Sequence, residues 1–442
     1  MQKHLLNLLL FLWFFSAYAQ KPATSQKSGT DAKLINPESV GMSSARLQRI
    51  DKMLQEYTSK KNIPGAIAFI ARDGKPVYQK TFGYNDLETK SPLDQNAIMR
   101  IASQTKALTS LGVMLLFEEG KFLLDDPVSK YIPSFKNQQV LDKLNEKDTT
   151  YTTVPAKREV TIRHLLTHTS GIGYAGIGSK EARAIYAKAK VTSGIGNPDG
   201  KIGDAMNRLG GLPLMHQPGE KFTYSLSTDV LGYFIEVISG QPLDKFMRTR
   251  IFEPLNMQDT YFYLPAAKHN RLAILYTEDE QKNTVKAQSR NGFSPDYPKI
   301  TNGTYFSGGA GLSSTIADYA KFLQMMLNNG SYNGKQIISP ATVRLMTINQ
   351  IGEVNQGGDN KFGLGFGVIT PKGSTKLGVS EGSYEWGGYF GTSYWVDPKE
   401  GIIGLLYTQK APNTNWGTIS DKFKAMVYQC INTFKSKEVI SN

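Results

Sequence analysis

The segment Ile101-Ala102-Ser103-Gln104-Thr105-Lys106 contains the one Ser-x-x-Lys of the chain. A serine hydroxyl is a poor nucleophile until a neighbouring base takes its proton, and a lysine can be that base when burial or a nearby charge lowers its pKa. A spacing of three puts Ser103 and Lys106 on one helix face. At a helix start, backbone N–H groups and the dipole also favour developing negative charge. The competing reading is a serine that only caps the helix. A second element, Pro218-Gly219-Glu220-Lys221-Phe222-Thr223-Tyr224-Ser225, sets a tyrosine ahead of the helix-like run Asp229 to Ser239, where packing or turn formation is its ordinary use. A third, Glu385-Trp386-Gly387-Gly388-Tyr389, lies on a strand-like run. Its two glycines would let a ligand approach the backbone closely, or would mark a β-bulge.

Two further patterns compete with these. Gly378-Val379-Ser380-Glu381-Gly382 fits the Gly-x-Ser-x-Gly elbow, whose fold places its histidine after the serine. No histidine follows His269, so that triad cannot be built in order. His164 and His168 lie four apart and would share a helix face, but without a third ligand or a His-Glu-x-x-His pattern the reading is burial or capping. No metal and no cofactor are expected.

The elements that must position these residues follow from periodicity. From Ser43 to Lys60, Leu47, Ile50, Met53, Leu54 and Tyr57 recur at helical spacing. Two β-rich runs, Gly65 to Ala71 and Pro76 to Gly83, split by Asp73-Gly74, predict an antiparallel hairpin. Gln104 to Glu119 predicts a helix with Ser103 at its start. Ser314 to Asn328, Pro340 to Thr347 and Trp416 to Phe434 are also helix-like. Strand-like runs cover Gly363 to Ile369, Ser383 to Trp386, Thr392 to Val396 and Gly401 to Tyr407. Strands at both ends around a helical middle predict an α/β (α+β) fold: one antiparallel sheet built from residues 37–125 and 306–442, with a mostly helical inserted domain over 126–305.

Residues 1–19 run from Lys3 and His4 through an apolar stretch to Ala17-Tyr18-Ala19, the pattern of a signal peptide cleaved before Gln20. The run is short for a transmembrane anchor. Residues 20–36, rich in Lys, Ser and Thr, predict a disordered leader. The product would be exported, periplasmic or secreted, with no integral membrane segment. Cys430 is the single cysteine and cannot form an internal disulfide, so the core must hold the fold and the thiol reads as structural and buried. The net charge of +13 is scattered, which argues against a nucleic-acid partner and for mild attraction to anionic surfaces or substrates. The oligomeric state is not legible.

Taken together, these motifs resemble the serine β-lactamase and penicillin-binding-protein superfamily, in its class C-like branch with D,D-peptidases and family VIII carboxylesterases. The three elements stand in the family's order. Leu124-Asp125-Asp126-Pro127-Val128, Thr161-Ile162-Arg163-His164-Leu165-Leu166-Thr167-His168-Thr169-Ser170-Gly171 and Gly311-Leu312-Ser313-Ser314 look like it too, so the resemblance spans about Pro37 to Phe434. It implies a β-lactamase/transpeptidase-like fold, Ser103 as nucleophile, Lys106 as base and Tyr224 as proton shuttle. It further implies an oxyanion hole from the backbone N–H groups of Ser103 and Tyr389, and substrate contact by Trp386, Gly387 and Gly388. Two departures bear on substrate. The third motif usually opens on Lys or His, here Trp386, and the tyrosine motif usually ends in Asn, here Leu226. Both remove partners for a lactam or peptide and point to small-molecule carboxylic esters. A β-lactamase or D,D-peptidase acting on cell-wall peptides, hydrolysis of an amide, acyl transfer, and a binding or sensor protein that is acylated without turnover are the alternatives.

Overall fold

The computed structural model describes residues 34–191, 194–290 and 293–435. The expected signal peptide 1–19 lies outside them, as does most of the leader. The leader's last residues are ordered, a correction to its boundary at 36. The Ile35 N–H donates to Pro76 O at 3.0 Å, and Asn36 caps a 3-10 turn over Pro37–Val40.

Helix α1 (Ser44–Ser59) starts where Ser43 Oγ accepts the Arg46 N–H, and buries Leu47, Ile50, Met53 and Leu54 on one stripe. Strands β1 (Gly65–Arg72) and β2 (Lys75–Asp86) follow, joined by Asp73 and Gly74, both at positive φ (55° and 71°). That is the two-residue turn whose twist matches an antiparallel hairpin. After β3 (Ser91–Pro92), the chain returns to this sheet with β4 (Lys361–Phe362), β5 (Gly367–Val368), β6 (Tyr384–Gly388), β7 (Thr392–Asp397) and β8 (Ile402–Tyr407). The order is β4-β5-β6-β7-β8-β1-β2-β3, antiparallel throughout, with the two ends of the chain meeting where Ile67 pairs with Tyr407.

Strand β1 is buried along its whole length because both sheet faces are covered. Ala66, Ala68 and Ile70 face α1 and the C-terminal helix α5 (Trp416–Gln429). Ile67, Phe69 and Ala71 face the larger core around α2 (Thr105–Glu118) and α4 (Ile316–Leu327). Helix α2 is buried nearly all round, as a helix inside a core is. Ser103 does not cap it. Gln104 holds the cap position without a side-chain bond, and Ser103 sits in a 3-10 turn, Ala102–Gln104, just before the helix.

Several boundaries differ from the sequence reading. The run Gly363 to Ile369 is not one strand, because Gly365 breaks it at φ 97°, where a Cβ would lie 2.4 Å from Ser110 Oγ. Helix α5 ends at Gln429, and the chain beyond bonds back to the first turns, with the Asn432 N–H donating to Gly41 O. Between 126 and 305 the helices are Ile162–Leu166, Lys180–Lys188, Ile202–Gly210, α3 (Ser227–Ser239) and Leu243–Met247. The same stretch carries two hairpins, Gln139–Asn145 with Thr150–Pro155 and Tyr276–Glu278 with Thr284–Lys286. His164 and His168 do not share a helix face, since their helix stops at Leu166 and His168 stands at φ 56°. Cys430 is buried, its thiol pushed up to about 11 by burial. No helix among the described residues is long and apolar enough to cross a membrane.

Two expected outcomes follow from this packing. Burial holds the His164 ring near a pKa of about 4, and burial with Lys106 nearby holds His168 well below the usual histidine range. Both rings are then neutral in the folded protein. Between pH 6.5 and about 4 the unfolded chain takes up protons that the folded chain refuses, so stability falls as pH falls. His164 Nδ1 also accepts the Thr161 N–H in a capping box, a bond leucine cannot accept, so His164→Leu lowers Tm at pH 7 but gives a shallower decline from about pH 6.5 to about 5. An unchanged slope in a Tm-versus-pH series refutes this origin. Gly388 faces the turn before Ser103, and a Cβ there would lie 2.2 Å from Ile101 O and 2.4 Å from Thr392 Oγ1. Gly388→Ala must displace that turn, and displacements of this order cost about a hundred-fold in turnover. Wild-type turnover and Tm in this variant would count against it.

Candidate active site

The turn that carries Ser103 is fixed from three directions by four hydrogen bonds. The Ile101 N–H donates to Leu312 O, and Leu312 N–H to Thr105 Oγ1, both at 3.1 Å. Tyr319 on α4 donates to Gln104 O at 2.9 Å, and Tyr407 on β8 donates to Gln104 Oε1 at 2.5 Å. Ala102, one residue before the serine, is held at φ 41°, a left-handed conformation that costs a non-glycine residue on the order of 1–3 kcal/mol and survives only where the surroundings impose it.

In the first turn of α2, Lys106 is 2% exposed, with Nζ 3.5 Å from Ser103 Oγ. Nζ donates to Gly309 O at 2.7 Å and stands 4.6 Å from the ring centre of Tyr224 and 5.6 Å from that of Tyr174. The Tyr224 hydroxyl is buried and has no hydrogen-bond partner among the described residues. Its ring packs on Trp386 at 5.6 Å and on His168 at 4.8 Å, and stacks on Tyr174 at 5.9 Å. Trp386 also leans edge-on against Phe362, at 5.2 Å. Leu226 is fully buried and offers the site no polar group.

Ser103, Tyr224, Trp386, Gly387, Gly388 and Tyr389 line one open cleft of about 500 Å³. The structure therefore brings together residues from the start of α2, the entry to α3, and β6, which lie far apart in sequence. Tyr389 stands at the rim and is 54% exposed. Ser380 is elsewhere, in the loop after the Pro371–Leu377 helix, where its N–H donates to Asp397 Oδ2. The loop leads into a strand rather than from strand to helix, so the elbow is not formed.

Two neighbours were not singled out from sequence. Tyr174, three residues after Gly171, has its phenol pushed far above the usual range by burial, with Asp229 and Tyr224 adding to the shift. Asp229 on α3 accepts from Ser307 Oγ at 2.5 Å and from the Gly309 N–H at 3.3 Å. Burial raises its carboxyl, opposed first by the Lys106 charge. Gly309 thus lies between the two, with its carbonyl on Lys106 and its N–H on Asp229. The only sequence signal was position, since Asp229 lies five residues after Tyr224, at the start of the helix-like run. His168 closes the back of the site: its Nδ1 bonds Ser225 Oγ at 3.0 Å, and Ser225 donates to Ser227. Among the described residues no group of three His, Cys, Asp or Glu side chains could hold a metal ion.

Known proteins share this arrangement of chain. Protein Rv1367c of Mycobacterium tuberculosis is 31% identical over 377 residues, covering 81% of this chain and 89% of its own. Esterase EstB of Burkholderia gladioli is 28% identical over 411 residues, covering 90% and 99%. The structure of EstCE1, described as a hydrolase with promiscuous acyltransferase activity, superposes with a TM-score of 0.74 at 26% identity, covering 88% of this chain and 99% of that one. The Beta-lactamase family matches residues 50–420, a span that takes in α2, α3 and β6 and every residue of the cleft named above, so the chain belongs to the Beta-lactamase family of serine hydrolases.

Proposed function

We propose that the protein is an exported hydrolase that cleaves carboxylic esters of small molecules through an acyl-enzyme on Ser103. The observation that carries this reading is the buried Lys106 Nζ, 3.5 Å from Ser103 Oγ, beside a Tyr224 hydroxyl that has no partner among the described residues. Lys106 takes the Oγ proton as Oγ bonds to the ester carbonyl carbon. The backbone N–H groups of Ser103 and Tyr389 receive the negative charge on the carbonyl oxygen, as preorganised donors do in acyl transfer. Tyr224 passes a proton to the departing alkoxide when the carbon–oxygen bond breaks. Water, deprotonated by the same pair, then releases the acid and restores Ser103.

The ester preference rests on two side chains. Where a cation would meet the carboxylate of a lactam or peptide stands Trp386, and where an amide would hold the acyl-amide group stands Leu226, buried in the core. A site built to bond a polar group gains its discrimination from that group, and a site without the partner loses it. The similarity to EstB, an esterase, and to EstCE1, a hydrolase, favours the same substrate class. The promiscuous acyltransferase activity of EstCE1 adds transfer to a second acceptor, which any acyl-enzyme allows when that acceptor displaces water. Export rests on residues 1–19, whose charge, apolar run and Ala-x-Ala end fit a cleaved signal peptide.

Purified residues 20–442 should turn over a short-chain aryl ester, with little cleavage of a chromogenic cephalosporin. Ser103→Ala should abolish turnover. Lys106→Ala and Tyr224→Phe should each lose about three orders of magnitude or more, because residues acting as a unit fail together. Ser380→Ala should stay near wild type. Strong cephalosporin cleavage would move the assignment to a β-lactamase or D,D-peptidase, a product burst without turnover would make it a sensor, and an active Ser103→Ala would end it.

A further inference from the structure

The cleft that holds Ser103 extends past Trp386 to the first two turns of α5, where Trp416 and Asp421 line it. Its chemistry there is uneven. Trp386, Trp416 and Tyr389 offer aromatic faces, and three charged side chains, Glu385, Asp421 and Lys424, stand among them. Lys424 and Glu385 are ion-paired with each other, which leaves neither charge free for a ligand. Asp421 forms no ion pair with any described residue. The α5 N-terminus opposes it with the equivalent of about half a positive charge, confined to the first turn. Asp421 carries a full negative charge on the second turn, so the balance at this end of the cleft is negative.

Aromatic faces with a free carboxylate are the surroundings that bind an ammonium group, since ring quadrupole and carboxylate both attract a cation with little hydration to give up. A substrate carboxylate, by contrast, meets no available cation. We propose that the outer half of the cleft is a binding site for a cationic ammonium group carried on the acyl or the alcohol part of the ester, with Asp421 as its counter-charge and Trp386 and Trp416 as its walls. This deepens the ester-hydrolase reading and rests on it. The chain's overall charge of +13 works against cationic ligands at long range, so the preference belongs at about 0.15 M salt, where charges beyond roughly 8 Å are screened.

The test compares esters that differ only by nitrogen against carbon. Butyrylcholine is set against 3,3-dimethylbutyl butyrate, and p-nitrophenyl 4-(trimethylammonio)butyrate against p-nitrophenyl 5,5-dimethylhexanoate. The charged member of at least one pair should have a kcat/KM about five- to ten-fold higher, and Asp421→Asn should remove that ratio. Choline titrated into Ser103→Ala should change tryptophan fluorescence, with a Kd raised about five-fold when Asp421→Asn is added. Neutral members favoured in both pairs, or a ratio that survives Asp421→Asn, would overturn the site. If choline binds in an Asp421-dependent way while no ester is turned over, the ester reading fails and the ammonium site stands.

Discussion

The constraint on which the rest of the site depends is the burial of Lys106. An amine taken out of water without partners costs several kcal/mol, so the fold must supply acceptors and charge around it. Among the described residues no carboxylate bonds Nζ directly. Its partners are Gly309 O at 2.7 Å, the faces of Tyr224 and Tyr174, and the field of Asp229. A carbonyl and two aromatic rings hold the nitrogen in place beside Ser103 Oγ.

That arrangement dictates sequence well away from Ser103 and Lys106. The loop at 307–309 must pass between α2 and α3 closely enough to touch both. A Cβ on Gly308 would lie 2.6 Å from Thr228 O, and one on Gly309 would lie 2.4 Å from Asp229 Oδ2. Thr109 on α2 donates to Gly308 O at 2.7 Å, and Ser307 on the loop donates to Asp229 on α3. Helices α2 and α3 are therefore joined through this loop at Lys106 by hydrogen bonds that would be left unmade if either helix moved. Gly388 does the same from β6, packing its bare Cα against Ile101 O.

How much of this was legible in the sequence depends on whether a residue's signal is local. The β1–β2 hairpin and α1 could be read because periodicity and the Asp73-Gly74 turn are properties of adjacent residues, and Ser103, Lys106, Tyr224 and Trp386 because their motifs are. The hairpin Gln139–Asn145 with Thr150–Pro155 was missed because every residue of its second strand is exposed, so no alternation of apolar and polar positions marks it, only the β-branched run of threonines. Asp229 and Tyr174 were missed because their importance comes from what lies across the fold. A lone aspartate in a helix-like run reads as a solvated charge, and nothing in Ser227 to Gly232 says that Ser307 and Gly309 will meet it.

Trp386 shows how one residue can alter recognition and rigidity together. On the proposed reading its place in the third motif withdraws an attraction for carboxylates, and its ring packs against Tyr224 at 5.6 Å and Phe362 at 5.2 Å. Tyr224, whose hydroxyl has no hydrogen-bond partner among the described residues, is then oriented chiefly by ring contacts with Trp386, His168 and Tyr174. Each such pair contributes about 0.5–1.5 kcal/mol beyond area burial, enough in sum to hold a phenol in one rotamer. A cation restored at position 386 would bring back a partner for acidic substrates but would leave Tyr224 without one of its walls. On the proposed reading, substrate range and the placing of the Tyr224 phenol are tied to the same ring.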